Sequence, residues 1–481
     1  MKTIIEIDNG YSFLHTNNEK IKIKLWQALR FREKGYFHSR LYKQKKWDGF
    51  RDFFSRDTGR FLTGLLPEIT AALKIMGIDY ELRDKRNTVE FVTDKIDANW
   101  LREANPNKKI DFILQDYQVD YTNQTIKEKR GIIFAPTSAG KSAVMMAIVK
   151  AIKKGTPTVI LVNKKGLADQ IYNDFVDWGF TNIGRVYDKF CDPNIITIAL
   201  IQSMHKVVKL VPKIKVLIVD EIHEMMSKRT KKYYNAFKAA SVRIALSATP
   251  FKFGGTDKCQ KYSVKGYFGP VFKTKSTAAE DGILKTKKLQ ERGRLAKAEC
   301  VFYPITEPQL PYAIYQDAVT YGIANNLEFH LIVRALAKSL KGRTLILVER
   351  LDQGDQLKNL MPHALWIQGK DDLETRKYVI EQLSKSQEDV VAIATQGIFT
   401  AGINVFVNSL INAAGGQADH VIIQRFGRGL RTCDDKDILH YRDFVFLNND
   451  YLKKHSKHRV KVLVKEGHKV DIRDTIDFPL N

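Results

Sequence analysis

Two series of short apolar runs, each spaced by helix-like stretches, most strongly limit how this chain folds. The first series comprises Gly131–Phe134, Thr158–Val162, Ile195–Leu200, Lys215–Val219 and Val242–Leu246. The second comprises Thr344–Val348, Ala364–Ile367, Val390–Ala394, Ser409–Asn412 and Phe444–Leu447. Near-continuous hydrophobic strands that alternate with helices are typical of parallel sheets covered on both faces. The sequence therefore predicts an α/β fold with two parallel-sheet domains in tandem.

The first hundred residues predict a small α+β domain. Short strands flank the turn at Asp8–Gly10, and a helix is expected after Asn18, running to Gly35. Asp48–Gly49 is typical of a hairpin turn, here joining Leu41–Trp47 to Phe50–Ser55.

A chain of 481 residues is too long for one compact core. The texture of the sequence predicts four divisions: a small domain over 1–105, the first α/β domain with a bridging segment over 106–300, the second α/β domain over 301–450, and a basic tail over 451–481.

Composition limits the partners and the compartment. A net charge of +24 favours binding to a polyanion, and nucleic acid is preferred over an acidic membrane because no basic amphipathic helix dominates. The four cysteines form no CxxC pair, which argues against a zinc site or a disulfide framework and fits a reducing interior. No apolar stretch approaches the ~18 residues that cross a bilayer. We therefore expect a protein of the cytoplasm.

The segment Ala135–Ser142, with the sequence APTSAGKS, lies between an apolar strand and a helix. Backbone N–H groups of such a loop cradle phosphates at a helix N-terminus, a lysine at position 141 reaches the outer phosphates, and a hydroxyl at 142 ligates Mg²⁺. Ala135 stands where the usual pattern has its first glycine. Taken alone, the segment is also compatible with an ordinary strand–turn–helix.

Carboxylates follow a second strand of the first series. In the segment Lys215–His223, the apolar strand is followed directly by Asp220 and Glu221. The carboxyl ends of parallel strands face the ligand crevice. Asp220 is a candidate for holding Mg²⁺, and Glu221 for polarising an attacking water. Ser247 and Thr249, at the end of the next strand, are candidates for sensing the acidic pair through hydrogen bonds.

Cationic residues recur on one helical stretch of the second domain. Gln424–Arg431 places Arg428 and Arg431 three residues apart, on one helix face. Planar guanidinium groups stabilise charge on a transferring phosphoryl group. A solvated basic helix is the alternative reading.

In this order the segments APTSAGKS, VDEIH, SAT, ATQGIFTAGIN and QRFGRGLR resemble superfamily 2 helicases and translocases of the DExH type. The resemblance spans about 110–450 and implies two RecA-like domains that clamp ATP with Mg²⁺. It implies catalytic roles for Lys141, Asp220, Glu221, Gln424, Arg428 and Arg431. It implies nucleotide contacts from Tyr117, Gln118, Pro136, Thr137, Ser138, Ala139, Gly140, Lys141, Ser142, Gly402 and Asn404. Asn404 stands where the family often has a carboxylate.

The resemblance also implies that Leu161–Gln170, Gln202, Leu345–Arg350 and Thr395 track a nucleic-acid strand. Tyr42–Phe50 and Arg60–Leu66 resemble the N-terminal domain of phage UvsW-type branch-migration helicases. This second likeness implies ATP-driven remodelling of branched DNA.

Basic residues of the small domain agree with DNA contact. The candidates are Lys43, Lys45, Lys46, Trp47 and Arg51, since cations neutralise phosphates and exposed aromatics stack on bases. The aromatic residues are equally explained as core.

Two other functions stay open at this point: an RNA helicase, and a basic nucleic-acid scaffold with a degenerate ATPase. We expect a monomer that binds duplex or branched DNA and no membrane, with recombination or replication proteins as further candidate partners.

Overall fold

The computed structural model describes residues 2–102, 112–136, 138–251, 256–274, 283–311, 314–386, 388–397, 405–432 and 436–480. The chain divides into two compact units. The first unit contains Met1–Ala135 and Gly140–Leu284, and the second contains Pro136–Ala139 and Lys285–Asn481.

A small α+β module begins the first unit. Its elements are β1 Thr3–Ile7, β2 Tyr11–His15, α1 Glu19–Ala28, β3 Arg30–Arg32, α2 Arg40–Lys43, β4 Phe50–Asp52, β5 Arg60–Leu62, α3 Leu66–Ile75 and β6 Tyr80–Asp84. Four of these strands form a sheet in the order β5-β2-β1-β6. The strands alternate buried and exposed residues, so one sheet face packs on α1 and α3 around Ile5, Leu14, Leu25 and Leu73.

Two expectations for this module are wrong. The helix after Asn18 ends at Ala28 instead of continuing to Gly35. The expected hairpin does not form either, because β4 pairs with β3 in antiparallel register, with Phe31 opposite Arg51, while residues 40–43 are helical. Asp48 accounts for the difference, because its carboxylate pairs with Arg30 on β3 and accepts a hydrogen bond from the Phe50 amide.

The first α/β sheet follows in the same unit. Its elements are α4 Asp116–Glu128, β7 Arg130–Phe134, α5 Lys141–Ala151, β8 Thr158–Val162, α6 Lys165–Asp177, β9 Ile183–Tyr187, β10 Phe190–Asp192, β11 Ile196–Leu200, β12 Val216–Asp220, α7 Lys228–Ala236, β13 Val242–Ser247 and α8 Lys258–Phe268. The strand order is β10-β9-β11-β8-β12-β13-β7, and only the β9–β10 pair is antiparallel.

The register of this sheet positions the candidate site. Every residue of β8, β12 and β13 is buried, as expected for strands covered on both faces. Ser247 lies opposite Phe134, and Asp220 lies opposite Leu246. The ends of β7, β12 and β13 therefore meet at one edge of the sheet.

The small module packs directly on this α/β sheet. The guanidinium of Arg130 donates to the Asn9 carbonyl, Lys265 pairs with Glu68 at 2.6 Å, and the Cys259 thiol donates to the Phe31 carbonyl at 3.3 Å. A Cβ atom on Gly64 would lie 2.1 Å from the Lys265 carbonyl oxygen, so this approach requires glycine. These hydrogen bonds, the ion pair and the close backbone approach hold the small module against the α/β sheet.

The second unit is another parallel sheet. Its elements are α9 Thr286–Glu291, β14 Lys297–Ile305, α10 Tyr315–Val319, α11 Leu327–Ser339, β15 Arg343–Val348, α12 Leu351–Leu360, β16 Leu365–Ile367, α13 Leu373–Lys385, β17 Val390–Thr395, β18 Ser409–Asn412, α14 Asp419–Gly429, β19 Ile438–Phe446, α15 Asp450–Lys465 and β20 Val470–Ile472. The strand order is β16-β17-β15-β18-β19-β14-β20. Two RecA-like sheets in tandem, preceded by a small α+β module, confirm the predicted fold class.

The division between the units precedes the predicted boundary at residue 300, because β14 begins at Lys297 and belongs to the second sheet. Residues 451–481, which composition marks as a basic tail, contribute most of α15 and the edge strand β20. The remaining predicted boundaries stay predictions.

Two further expectations concern the chain as a whole. The thiols of Cys191, Cys259 and Cys300 are free, and Cys433 lies outside the described residues. In the described part of the chain, none of the helices combines the length and apolar character that a bilayer crossing requires.

A buried ion pair ties α15 to the second sheet. The side chains of Arg459 and Asp443 are 1% and 0% exposed, and their charged groups are 2.9 Å apart. Tyr441 and Asn412 each donate to the same carboxylate at 2.8 Å, and Arg459 also donates to the Gly416 carbonyl. The pair is therefore embedded in a hydrogen-bond network.

We expect Arg459→Met to lower the free energy of unfolding of the second unit by about 3–5 kcal/mol, because it leaves a buried carboxylate without its counter-charge. Urea unfolding measures the loss. Arg473→Met is the matched control, since Arg473 pairs with Asp471 at a surface where both side chains are about half exposed, and it should cost less than about 1 kcal/mol. Equal losses of unfolding free energy in the two variants would contradict the structural role of the buried Arg459–Asp443 pair.

Candidate active site

The loop after β7 has the backbone of a phosphate-binding turn. The Ala135 amide donates to the Ser247 carbonyl at 3.0 Å, which fixes the loop to the end of β13. The Ala139 amide donates to the Pro136 carbonyl at 3.1 Å. Gly140 then adopts φ +73° immediately before α5 begins at Lys141. Thr137 lies outside the described residues.

Gln118 packs against this loop from α4. Its side chain is 3% exposed, its carbonyl oxygen accepts from the Gln115 amide at 2.9 Å, and its amide group lies 3.5 Å from the Gly140 carbonyl. A Cβ atom on Gly140 would lie 2.3 Å from Gln118 Nε2. The neighbouring Tyr117 is also buried. The structure thus places Gln118 beside the loop, while the predicted nucleotide contacts of Tyr117 and Gln118 stay predictions.

Three charged side chains meet at the loop. Lys141 Nζ contacts Glu221 Oε1 and lies 3.5 Å from Asp220 Oδ1. All three side chains are largely buried. Glu221 holds a left-handed backbone, φ +51°, and its amide donates to Asp220 Oδ1 at 3.0 Å. The turn after β12 therefore aims both carboxylates at one ammonium group.

Burial and mutual charge set the protonation of this cluster. Burial raises the pKa of Asp220 to about 6, opposed by Lys141 and reinforced by the Glu221 carboxylate. Burial also acts to raise the pKa of Glu221, but the Lys141 ammonium outweighs it and the net pKa is lowered. Burial acts to lower the pKa of Lys141, but the two carboxylates hold it raised. The cluster thus sets two carboxyl groups against one ammonium group.

The carboxylates of this cluster fit a magnesium ion. The excess carboxylate favours a bound cation, and carboxylate oxygens are ligands that Mg²⁺ prefers. Ser142, the other predicted ligand, follows Lys141 in helix α5. The Ser142 hydroxyl hydrogen-bonds the Asp174 carboxyl, whose pKa is raised by burial. Within the described ranges, no cluster of three or more His, Cys, Asp and Glu side chains offers a metal cage of its own.

Ser247 links Glu221 to the strand beyond it. Its hydroxyl donates to Glu221 Oε2 at 3.2 Å and accepts from the Thr249 amide at 3.0 Å. His223 Nδ1 lies 2.8 Å from the same oxygen. Because the single hydroxyl proton goes to the carboxylate, Nδ1 of His223 carries the proton in that contact. Ser247 therefore connects Glu221, His223 and residue 249, and the coupling roles of Ser247 and Thr249 remain predictions.

Asn163, in the predicted strand-tracking segment Leu161–Gln170, and Glu224, which the sequence did not single out, extend this network. Asn163 donates its side-chain amide to Glu224, and the Gln202 side chain donates to the Asn163 carbonyl at 3.1 Å. Glu224 lies 3.7 Å from His223 Nε2. The predicted strand-tracking residue Gln202 is thereby joined to the acidic turn. The only sequence signal for this hydrogen-bond link was that Glu224 directly follows His223. A single acidic residue does not predict such a link.

The arginine-rich helix of the second unit is α14. Gln424 is buried, and burial together with the neighbouring Arg428 lowers the pKa of Arg431 to about 10. Within this unit, which includes residues 136–139, Arg431 Nε donates to the Ser138 hydroxyl at 3.1 Å. Gly402 and Asn404 lie outside the described residues.

Arg425, which the sequence analysis passed over, has a structural position in the same helix. It donates to Asn412 at 2.9 Å and to the Gly415 carbonyl at 3.0 Å. Beside it lies a cavity of about 550 Å³ whose wall includes Glu349 and Gln396. Thr395 ends β17 next to this cavity. The cavity therefore lies at the carboxyl ends of strands where the strand-tracking residues are predicted.

The candidate DNA-binding residues of the small module differ in their availability. Lys43, Lys45 and Lys46 are exposed. Arg51 instead pairs with Glu33 at 3.1 Å, and the half-buried Trp47 donates its indole N–H to the Phe50 carbonyl at 2.7 Å. The structure thus leaves the lysines open to solvent and engages the other two within the protein.

Known proteins match this chain over most of its length. Residues 111–252 match the family described as "Type III restriction enzyme, res subunit". The ATP-dependent DNA helicase uvsW of Enterobacteria phage T4 is 23% identical over 86% of this chain and 85% of its own length. The DNA 3'-5' translocase XPB2 of Sulfurisphaera tokodaii is 26% identical over 68% of this chain and 80% of its own length. The chain is therefore similar to helicases and translocases of superfamily 2 over most of its length.

A solved structure supports the α/β fold described above. A fragment of an HsdR subunit of a type I restriction enzyme from Vibrio vulnificus YJ016 superposes with a TM-score of 0.53 at 17% identity, covering 74% of this chain and 67% of the fragment. The resemblance drawn from the five ordered segments is confirmed, since the matched proteins are named as a DNA helicase and a DNA translocase.

We expect Gly140→Ala to cost more stability than Gly155→Ala in urea unfolding. Both glycines have positive φ, which costs an alanine about 1–2 kcal/mol, but a Cβ atom on Gly155 meets nothing within 4 Å. The additional loss at Gly140 should shrink in the double variant Gly140→Ala/Gln118→Ala, because the side chain that the new methyl group strikes is gone. Equal losses at the two glycines, or no relief in the double variant, would contradict the packing described for Gln118.

Proposed function

We propose that this protein hydrolyses ATP to move along DNA and remodels branched DNA such as forks, Holliday junctions and displacement loops. The observation that carries the proposal is the contact of Lys141 with Asp220 and Glu221 at the end of a phosphate-type loop. The matched relatives support the nucleotide and the polymer, since one is named an ATP-dependent DNA helicase and another a DNA translocase.

In the proposed reaction, the amides of the loop and the Lys141 ammonium bind the outer phosphates. Lys141 exchanges its carboxylate partners for phosphate oxygens, which releases Glu221 to accept a proton from the attacking water. Ser247 keeps one oxygen of Glu221 in place during this step. Ser142 and Asp220 would hold Mg²⁺, which neutralises phosphate charge when bound. Gln424, Arg428 and Arg431 are proposed to contact the terminal phosphate.

The small module is proposed to hold the DNA branch through Lys43, Lys45 and Lys46. Gln202 and Thr395 are proposed to contact the tracked strand. The network from Gln202 through Asn163 and Glu224 to His223 supports a link between that strand and Glu221. We propose a cytoplasmic monomer, with recombination or replication proteins as partners.

We expect Lys141→Ala and Glu221→Gln each to reduce ATP turnover at least 100-fold while the affinity for DNA changes less than about threefold. Lys141→Ala removes the cation that binds phosphates, and Glu221→Gln removes the base. A matched pair of controls exists in Lys153→Ala and Glu90→Gln. They break an exposed lysine–glutamate pair beyond the opposite end of helix α5 and should leave turnover unchanged. Retained DNA-stimulated hydrolysis in Glu221→Gln would refute the assigned role.

Strand exchange on synthetic forks and four-way junctions, with and without ATP, tests the branched substrate. We expect ATP-dependent conversion of both substrates, and stimulation of ATP turnover by these DNAs above that by single-stranded RNA. Stronger stimulation by RNA would favour an RNA helicase. Undetectable hydrolysis with every polynucleotide would instead favour a nucleic-acid scaffold.

A further inference from the structure

Two large apolar side chains are exposed on one short segment of the small module. Phe37 is 53% exposed and Leu41 is 52% exposed. They lie four residues apart, on a 3₁₀ turn at Tyr36–His38 and on helix α2, joined by the extended residue Ser39. We call residues 36–43 the knuckle. Scattered exposed apolar residues are common, so the meaning of this pair depends on its surroundings.

The knuckle is built around the ring of Tyr36. This ring packs edge-on against Phe37 at 5.6 Å and against Tyr42 at 4.7 Å between centroids. On its other side it covers Gly49, where a Cβ atom would come within 2.7 Å of the ring. Backbone hydrogen bonds close the segment, from the Ser39 amide to the Tyr36 carbonyl and from the Lys46 amide to the Leu41 carbonyl. The apolar pair is therefore displayed on a supported surface.

The Trp47–Gly49 turn is the platform for the knuckle. Trp47 donates to the Phe50 carbonyl, Asp48 pairs with Arg30, and the Gly49 carbonyl accepts from the Glu33 amide at 2.8 Å. These contacts use the polar groups of the turn within the protein. They account for the Trp-Asp-Gly sequence structurally and leave the neighbouring Phe37 and Leu41 as the apolar groups that face solvent.

Exposed cations lie close to the apolar pair in the sequence. Arg40, Lys43, Lys45 and Lys46 are exposed, and no described carboxylate forms an ion pair with any of them. The acidic side chains nearby are already paired: Glu33 with Arg51, and both Asp48 and Asp52 with Arg30. An exposed apolar pair on the same short stretch as exposed cations complements a polyanion that also offers apolar faces. Nucleic acid combines phosphates and base faces in this way.

We propose that the knuckle is a wedge that places Phe37 and Leu41 against unstacked bases at a DNA branch point while its cations hold the flanking phosphates. The inference rests on the proposed function, because it assumes a branched DNA substrate. Proteins insert apolar side chains between base steps to open them, and such insertion is cheapest where stacking is already interrupted. The branch point of a fork is such a place, whereas a continuous duplex is not.

Fluorescence of 2-aminopurine at the branch point of a synthetic fork tests the wedge, with the full-length protein and without ATP. The probe brightens when its base unstacks. We expect the unchanged protein to raise the fluorescence at the branch but not in the middle of the duplex arm. Phe37→Ala and Leu41→Ala should each reduce the rise, and the double variant should abolish it. Ile75→Ala is the matched control, because Ile75 is an 86% exposed apolar residue on α3 of the same module.

Separate measurements distinguish the wedge from the motor. The double variant should keep ATP turnover with single-stranded DNA and its thermal stability, while strand exchange on forks falls at least tenfold. Lys43→Gln/Lys46→Gln should weaken binding to all DNA forms and lower the salt dependence of binding, because phosphate contacts are lost. If the protein without substitutions hydrolyses no ATP, the proposed motor function is overturned. The fluorescence result then decides on the wedge by itself.

Several outcomes would overturn the wedge itself. One is a double variant that retains the fluorescence rise and the fork exchange, which would leave the apolar pair as a contact for a protein partner. Another is an equal loss in Ile75→Ala, which would reduce the effect to general surface change. A rise in the middle of the duplex arm as large as that at the branch would remove the branch specificity.

Discussion

The contact between Lys141 and the two carboxylates at the end of β12 is the interaction on which the candidate site depends. A buried ammonium without a partner is strongly disfavoured, and so is a buried carboxylate pair without a cation. Each therefore stabilises the other while the phosphate loop holds no ligand. In the proposed reaction a nucleotide and a magnesium ion would replace these charges, and the ion pairs of the protein alone keep the three groups together.

The parallel sheet explains why these groups meet. Asp220, Ser247 and Phe134 end three neighbouring strands, and the strand registers bring those ends together before any site chemistry is considered. The buried strands supply the rigidity, since β8, β12 and β13 are covered along their whole lengths. Side chains on such strands are held in position more precisely than side chains on loops. The site is thus a product of topology first and of residue chemistry second.

The elements that the sequence predicted correctly are those whose apolar runs are uninterrupted. All ten predicted strands of the two series occur. Nine differ from their predicted bounds by at most one residue at each end, whereas the strand predicted at Phe444–Leu447 begins at Ile438. Strand β14 was in neither predicted series, and its first four residues fall in the bridging segment. It contains Lys297, Glu299 and Pro304, which interrupt the apolar run expected of a central strand. The structure permits them because β20 pairs only with residues 300–302 of β14, leaving Pro304 without a required partner on that side.

The small module shows where local patterns fail. Asp48-Gly49 does form a turn, but the strand that pairs with β4 is Arg30–Arg32, which lies far back in the chain and has no alternating pattern. The turn signal was local, whereas the partner was chosen by the Arg30–Asp48 ion pair and by packing of Phe31 on α8. The acidic turn and the phosphate loop were recognisable from residue order, but the link through Asn163 and Glu224 depends on side-chain geometry that no spacing reveals.

The close backbone approach at Gly64 has a consequence for how a small module of this kind is transferred between related proteins during evolution. The opposing surface is also bare of a side chain, since a Cβ atom on Gly266 would lie 2.6 Å from Leu62. An accessory module seated in this way cannot be exchanged freely between helicase cores, because both partners must lack side chains at the seam. We therefore expect natural chimaeras that carry such a module to have acquired the module and its matching helix, the one numbered α8, together.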